Sequence, residues 1–337
     1  VLRLLASWFA RSAVGLLCVG LLAWTTLAVY LSPLEPAWLR IGLASLLPLS
    51  VLAALFGERP LLRAPALIAV EFFVVLVAWL SLQPSHDRDW QADVAKLPYA
   101  EIRGDRVTLH NVRNADYRSE TDYTARFEDR ELDLSRLRSL DLFLIYWGSP
   151  AIAHTIMSWG FEGDEYLAVS IETRKERDES YSALKGFFRQ YELIYILADE
   201  RDVVRLRTNY RDEDVYLYRL DVPPEGARQL LLAYLEAVNR LYERPQWYNA
   251  LTQNCTTSIQ NLAAPLQQRD WWSWKLLLNG YMDELAYDIG AIDRSLPFAE
   301  LRERSHVNER ARAAGDDPRF SVRIRAGLPG MTEDSES

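Results

Sequence analysis

The stretch AIAHTIMSWGF at 151–161, followed across Glu162-Gly163-Asp164 by YLAVSIET at 166–173, reads as two β-strands joined by a tight turn. The first run is almost wholly apolar. In the second, Leu167, Val169 and Ile171 alternate with Ala168, Ser170 and Glu172, the period of a pleated strand. Glu172 therefore shares a face with Ser170. His154 is the one titratable side chain in its apolar run, where a histidine is more often a satisfied core residue than a base. If the strands pair, Glu172 can approach the imidazole and hold its tautomer, as the carboxylate does in a catalytic triad. A plain Glu172–Arg174 salt bridge is the competing reading.

Further elements extend on both sides. Ile102–Val112 reads as a hairpin around Gly104-Asp105, and Asn114–Asp133 as a charged, extended surface segment. Leu134–Leu140 is expected to form a helical turn, and Leu142–Trp147, Leu193–Leu197 and Val215–Leu220 to form strands. Asp199–Asp214 is a charged connection able to begin a helix. After Pro223-Pro224, residues Glu225–Tyr242 place Leu230, Leu231, Tyr234, Leu235, Val238 and Leu241 at helical spacing. A charged helix is expected over Arg302–Arg312. The aromatic run Trp271-Trp272-Ser273-Trp274 suits core packing better than a membrane surface. Strands followed by helices of this kind give an α+β domain.

The first 84 residues are different. Ser12–Leu34 and Ile41–Gly57 lack charges, and Pro65–Leu82 carries only Glu71. A cleaved signal peptide explains one such segment but not three, so three transmembrane helices are expected. Glu71, close to Arg63, is expected to snorkel or pair there. Residues 1–84 carry a net charge of +2 and the remainder −11. An acidic domain argues against nucleic acid as partner. Arg3, Arg11, Arg59 and Arg63 place the N-terminus in the cytoplasm and the domain after Leu82 outside it by the positive-inside rule.

Only two cysteines occur, Cys18 within the first apolar segment and Cys255. A disulfide between them is implausible, so Cys255 is a small buried hydrophobe, paired with another molecule, or chemically employed. It opens an expected helix, Thr256–Ala264, whose free N–H groups and positive dipole end favour the thiolate. Asn254 stands at the N-cap, leaving the Cys255 backbone N–H to help form an oxyanion hole. Of the histidines, His86 and His306 read as surface residues, His110 as an ordinary member of a hairpin strand, and His154 is the candidate base. No metal-ligand spacing and no glycine-rich phosphate loop occurs, so no metal and no cofactor is expected.

In chain order, Trp147 with Ala153-His154-Thr155, Ser170-Ile171-Glu172-Thr173-Arg174, Tyr191-Glu192-Leu193, Tyr248-Asn249 and Asn254-Cys255-Thr256-Thr257 resemble the signature of the Lnb N-terminal periplasmic domain family. The resemblance runs from about Asp116 to Ile292. It implies a circularly permuted papain-like fold, similar to NlpC-type amidases and lecithin retinol acyltransferase, in which the histidine strand precedes the cysteine helix. It further implies Cys255 as nucleophile, His154 as base and Glu172 as orienting residue, with Asn249, Asn254, Arg174 and Tyr191 in support. The family's namesake acylates the N-terminal amine of bacterial lipoproteins, which implies acyl transfer here.

The expected organisation is a membrane anchor with three transmembrane helices (1–84), a linker and hairpin (85–115), the papain-like catalytic domain (116–292), a C-terminal extension (293–328) and a disordered tail (329–337). The expected location is the bacterial inner membrane, with the catalytic domain in the periplasm. Cytoplasmic-membrane lipids and lipoproteins are the expected partners. The leading expectation is a cysteine acyltransferase. A cysteine hydrolase with the same site, cutting a lipid ester or a peptidoglycan amide, is the alternative, and a non-catalytic envelope scaffold is a third reading.

Overall fold

Three long helices, α1 (Leu2–Tyr30), α2 (Ala37–Leu55) and α3 (Pro60–Ser81), begin the computed structural model, which describes residues 2–249, 275 and 278–331. Their apolar spans of 20, 19 and 22 residues have mean hydropathies of 2.0, 1.8 and 2.2. At 1.5 Å per residue each is long enough to cross a bilayer core of ~30 Å. The last two begin earlier than the charge-free runs suggest, because Pro36 and Pro60 stand where a helix start needs no N–H donor. Glu71 pairs within the bundle: Ser50 Oγ on α2 donates to its Oε1 at 2.5 Å. These helices and Ser182–Tyr191 form one unit, and His86–Tyr181 with Glu192–Ser337 form a second.

The second unit is built on a mixed sheet of eight strands: β1 (Tyr99–Arg103), β2 (Arg106–Arg113), β5 (Phe127–Asp133), β6 (Leu137–Tyr146), β7 (Ala153–Phe161), β8 (Glu165–Arg174), β9 (Glu192–Ala198) and β10 (Asp214–Arg219). Their order is β1-β2-β9-β8-β7-β6-β10, with β5 also paired to β2. All pairings are antiparallel except β2 with β9. A small separate hairpin joins β3 (Asp116–Tyr117) and β4 (Tyr123–Thr124). The α+β expectation therefore holds, and the central pair is β7 and β8, in the register Ile156 opposite Ser170.

Helices cover both faces. On one, α5 (Pro224–Glu243) lays Leu231, Tyr234, Leu235 and Val238 against Trp159, Leu167, Val169 and Ile171. Tyr234 meets Trp159 edge-on at 5.1 Å, a favoured aromatic geometry. The other face, carrying Ile156, Ala168, Ile194 and Ile196, is covered by α4 (Glu200–Arg205) and the C-terminal helices α8 (Asn308–Ala314) and α9 (Phe320–Arg325). Helices α6 (Met282–Ile289) and α7 (Phe298–Arg304) lie between α5 and α8 in the chain. Because both faces are covered, β7 and β9 are buried along their whole length, which is why they read as continuous apolar runs.

Several expectations change. Residues 114–133 include β5, whose sequence Phe127-Glu128-Asp129-Arg130-Glu131-Leu132-Asp133 buries only Leu132. A charged, solvent-facing strand shows no apolar alternation to reveal it. The expected helix over Arg302–Arg312 is broken at Ser305–Val307, where Leu217 N–H donates to Ser305 O and Val307 N–H to Val215 O. His86 is not a free surface residue: Nε2 lies 2.9 Å from Leu241 O. The hairpin before residue 115 and the helices after 293 share the sheet and core of this unit. Pro329–Met331 still turn against that core, with Met331 N–H donating to Leu328 O. The Trp271–Trp274 run and residues 332–337 lie outside the described residues.

Arg325 on α9 fastens the C-terminal helices to the sheet. Its Nε and Nη2 donate to Asp141 Oδ2 at 2.9 and 2.8 Å, and Nη1 and Nη2 donate to the two Glu200 oxygens at 2.7 and 2.6 Å. Arg219 also donates to Asp141, and Ser158 to Glu200. Asp141 and Glu200 are fully buried, so removing the cation leaves Glu200 with no positive partner and Asp141 with Arg219 alone in a low dielectric. Arg325→Ala is expected to destabilise this unit by about 3–5 kcal/mol in chemical denaturation. Arg323→Ala, which breaks a more exposed pair with Asp317, is expected to cost about 0–1 kcal/mol.

Candidate active site

His154 and Glu172 come from neighbouring strands. The β7–β8 ladder ends at Ile156 opposite Ser170, and the same register carried two residues further sets His154 opposite Glu172. All three polar residues share the face of Ile156, away from α5. Ser170 Oγ lies 2.7 Å from His154 Nε2 and donates to Glu172 Oε1 at 2.7 Å, while His154 Nε2 and Glu172 Oε1 are 3.8 Å apart. Ser170 thus stands between histidine and carboxylate. A hydroxyl carries one proton, and here it goes to the carboxylate, which can only accept. Ser170 Oγ must then accept from His154 Nε2–H. The neutral ring is held as the Nε2–H tautomer, with the basic lone pair on Nδ1.

A cation completes the cluster. After α4 the chain makes a π-helical turn, Leu206–Tyr210, a rare form that re-aims side chains and is frequent at functional sites. From it Arg207 places Nη2 3.6 Å from Glu172 Oε1 and Nη1 3.0 Å from Glu213 Oε2. Burial would raise the Glu172 pKa, but Arg207, then His154 and Arg113, hold it well below the usual carboxylate range. His154 is pushed down to about 3, first by burial and then by the positive charges of Arg207 and Arg211, against the pull of Glu172. Ser170 and Arg207 escaped the sequence reading. Ser170 was visible as the residue two before Glu172 on the same face and within the quoted motif, without a role, and Arg207 had no signal.

The remaining expected residues divide. Arg174 does not pair with Glu172: its Nε and Nη2 donate to Val94 O and Ala95 O at 2.9 and 2.8 Å, and its guanidinium lies 4.1 Å from the Trp90 ring centre. Tyr191 belongs to the helical unit, where its hydroxyl accepts from Ser182 N–H at 3.0 Å. Asn249 closes the described stretch before the cysteine. Asn254 and Cys255, with the expected helix Thr256–Ala264, lie outside the described residues.

Both chain ends that flank the cysteine segment are nevertheless pinned beside the cluster. Before it, Trp247 bridges to Glu192, and Leu193 N–H donates to Gln246 O. Glu192 and Leu193 oppose Arg174 and Thr173, just beyond Glu172 on β8. After it, Asn279 Oδ1 accepts from Ala153 N–H at 2.9 Å, and its Nδ2 donates to Ala153 O at 2.5 Å. Gly280 N–H donates to Ala151 O, and its own carbonyl accepts from the Tyr146 hydroxyl. A Cβ at Gly280 would lie 2.1 Å from Pro150 O, so only glycine permits this approach. The chain thus departs toward Cys255 and returns from it at the His154–Glu172 end of the sheet.

The depressed His154 pKa has a pH signature. The folded value of about 3 lies below the ordinary 6.5, so the unfolded chain binds the extra proton in between. Stability is fully present above about 6.5 and is lost on acidification toward 3, by at most about 1.4 kcal/mol per pH unit. His154→Gln is expected to remove this contribution. Chemical denaturation of both proteins at steps across that window should give a stability difference that changes with pH; a constant difference contradicts the assignment.

No curated protein and no solved structure matches the chain. The family model described as Lnb N-terminal periplasmic domain matches residues 123–280, a span that includes His154, Ser170, Glu172, Arg207 and Cys255. The resemblance carried by the order of residues is borne out, and with three helices long and apolar enough to cross a bilayer the chain is a membrane-anchored protein whose periplasmic domain is similar to the Lnb N-terminal domain.

Proposed function

We propose that this protein is a cysteine acyltransferase that moves an acyl group from a phospholipid, through a thioester on Cys255, to an amine such as a lipoprotein N-terminus. The observation that carries the reading is the His154–Ser170–Glu172 relay, which leaves Nδ1 as the basic nitrogen, at the sheet end that also holds Trp247 and Asn279, described residues before and after Cys255 in the chain. Five residues, and so six Cα-to-Cα steps, separate Asn249 from Cys255, a reach of up to about 20 Å. In the first half-reaction the Cys255 proton passes to His154 Nδ1 and the thiolate attacks the ester carbonyl. The acyl–oxygen bond breaks, and the departing lysophospholipid oxygen takes the proton back from His154. In the second, an amine attacks the thioester, the carbon–sulfur bond breaks, and the amine proton returns to sulfur by way of His154. A thiolate nearby would stabilise the imidazolium and so offset the burial that keeps His154 neutral. The arginines at positions 3, 11, 59 and 63 support a cytoplasmic N-terminus in the bacterial inner membrane.

The test is incubation of the full-length protein with acyl-labelled phospholipid. A hydroxylamine-sensitive adduct is expected, absent in Cys255→Ala and formed about 10²–10⁴-fold more slowly in His154→Ala. Release of the label by a lipopeptide amine, as an amide, is expected. Release to water alone would assign a hydrolase. Equal labelling of Cys255→Ala, or unchanged biological activity of that variant, would remove the thiol from the chemistry.

A further inference from the structure

The segment Ser182-Ala183-Leu184-Lys185-Gly186-Phe187-Phe188-Arg189-Gln190-Tyr191 has two bases and no acid, although the chain beyond residue 84 is strongly acidic. It belongs to the helical unit. Arg189 joins it to the end of α3: Nη1 lies 3.0, 3.2 and 3.4 Å from the carbonyl oxygens of Trp79, Leu80 and Leu82. Carbonyls at a helix C-terminus have no partners within the helix and carry its negative dipole end, so a guanidinium suits them. The guanidinium also stacks 4.1 Å above the Trp79 ring. Phe188 is 5% exposed, with its ring 6.2 Å from that of Trp24 on α1. Arg189 holds a left-handed backbone, φ 54°, a conformation costing about 1–3 kcal/mol and kept only where surroundings demand it.

The docking fixes the segment's depth. Residues 79–82 mark where a membrane-spanning helix ends, so residues 182–191 lie at the headgroup level. Ser182 O accepts from Gly186 N–H, and Leu184 O from Phe187 N–H, winding the segment into a helical turn. That turn puts Leu184 and Phe187, three residues apart, on one side. Both remain open to the surroundings, at 48% and 37% exposure. Apolar side chains on such a turn, flanked by Lys185 and Arg189, have the composition of an interfacial anchor.

We infer that Ser182–Tyr191 is a membrane-interface strap, seated on the end of α3 by Arg189, with Leu184 and Phe187 inserted at the headgroup–acyl boundary of the bilayer that α1–α3 cross. The occupant is the lipid surface, continuous with the one the helices already meet. The inference is independent of the chemistry at Cys255.

Nitroxide labels test this on the full chain in vesicles of phosphatidylethanolamine and phosphatidylglycerol. In a Cys18→Ala, Cys255→Ala background, single labels are placed by Leu184→Cys, Phe187→Cys and, as an exposed reference on α5, Glu236→Cys. Labels at 184 and 187 are expected to collide more with oxygen than with a water-soluble nickel chelate, the reverse of position 236. Adding Arg189→Ala is expected to shift both toward the aqueous pattern. Nickel accessibility at 184 and 187 equal to that at 236 would overturn the strap. An oxygen preference unmoved by Arg189→Ala would overturn its seating on α3.

Discussion

The register of β7 against β8 is the constraint on which the sheet unit depends. Ile156 opposite Ser170 sets His154, Ser170 and Glu172 on one face and Trp159, Leu167, Val169 and Ile171 on the other. Side chains alternate with period two, so a slip of one residue would send the histidine toward α5 and the apolar set away from it. The three-residue connection between Phe161 and Glu165 resists such a slip, with Gly163 and Asp164 both at positive φ. The same register that closes the apolar core therefore assembles the polar relay, and neither can be moved without the other.

The two faces of the sheet solve different problems. The α5 side is closed mainly by apolar and aromatic contacts, with hydrogen bonds at polar tips such as Trp159 Nε1 to Ala227 O and one buried carboxylate, Asp283, which accepts from the Tyr218 hydroxyl and faces Arg302. The opposite side carries buried charge: Asp141 and Glu200 on Arg325, Asp202 on Arg113, and Glu172 on Arg207. Buried ions are tolerated only when paired and hydrogen-bonded. Arg113 meets that condition with three short contacts to Asp202. The helices after residue 293 supply Arg325, so what reads as an appendage closes the electrostatics of the site-bearing face.

The legible elements were those whose partners are implied by their own pattern. Strands β7 and β8, helix α5 and the three apolar helices declare a buried face through periodicity or sheer apolar length. β5 could not, because of its side chains only Leu132 is buried and its main contribution is backbone pairing with β2. His86 could not either: its neighbours Ser85, Asp87 and Arg88 are polar, and the carbonyl that fixes it is 155 residues away. Arg174 was misjudged for the same reason, since proximity to Glu172 in sequence is outweighed by the carbonyls of Val94 and Ala95.

By itself, the sequence determined the membrane anchor, the strand pair and the presence of one histidine and one carboxylate able to share a face. These follow from hydropathy and period, which are local. It also carried the ordered residues by which residues 123–280 resemble a known periplasmic domain. Only the tertiary structure decided that Ser170 stands between His154 and Glu172, that Arg207 rather than Arg174 balances the carboxylate, and that Trp247 and Asn279 are both held at this end of the sheet. Those choices depend on distances across strands and between distant segments. Hydrogen bonding and buried charge are satisfied by whichever groups the packed chain brings within reach.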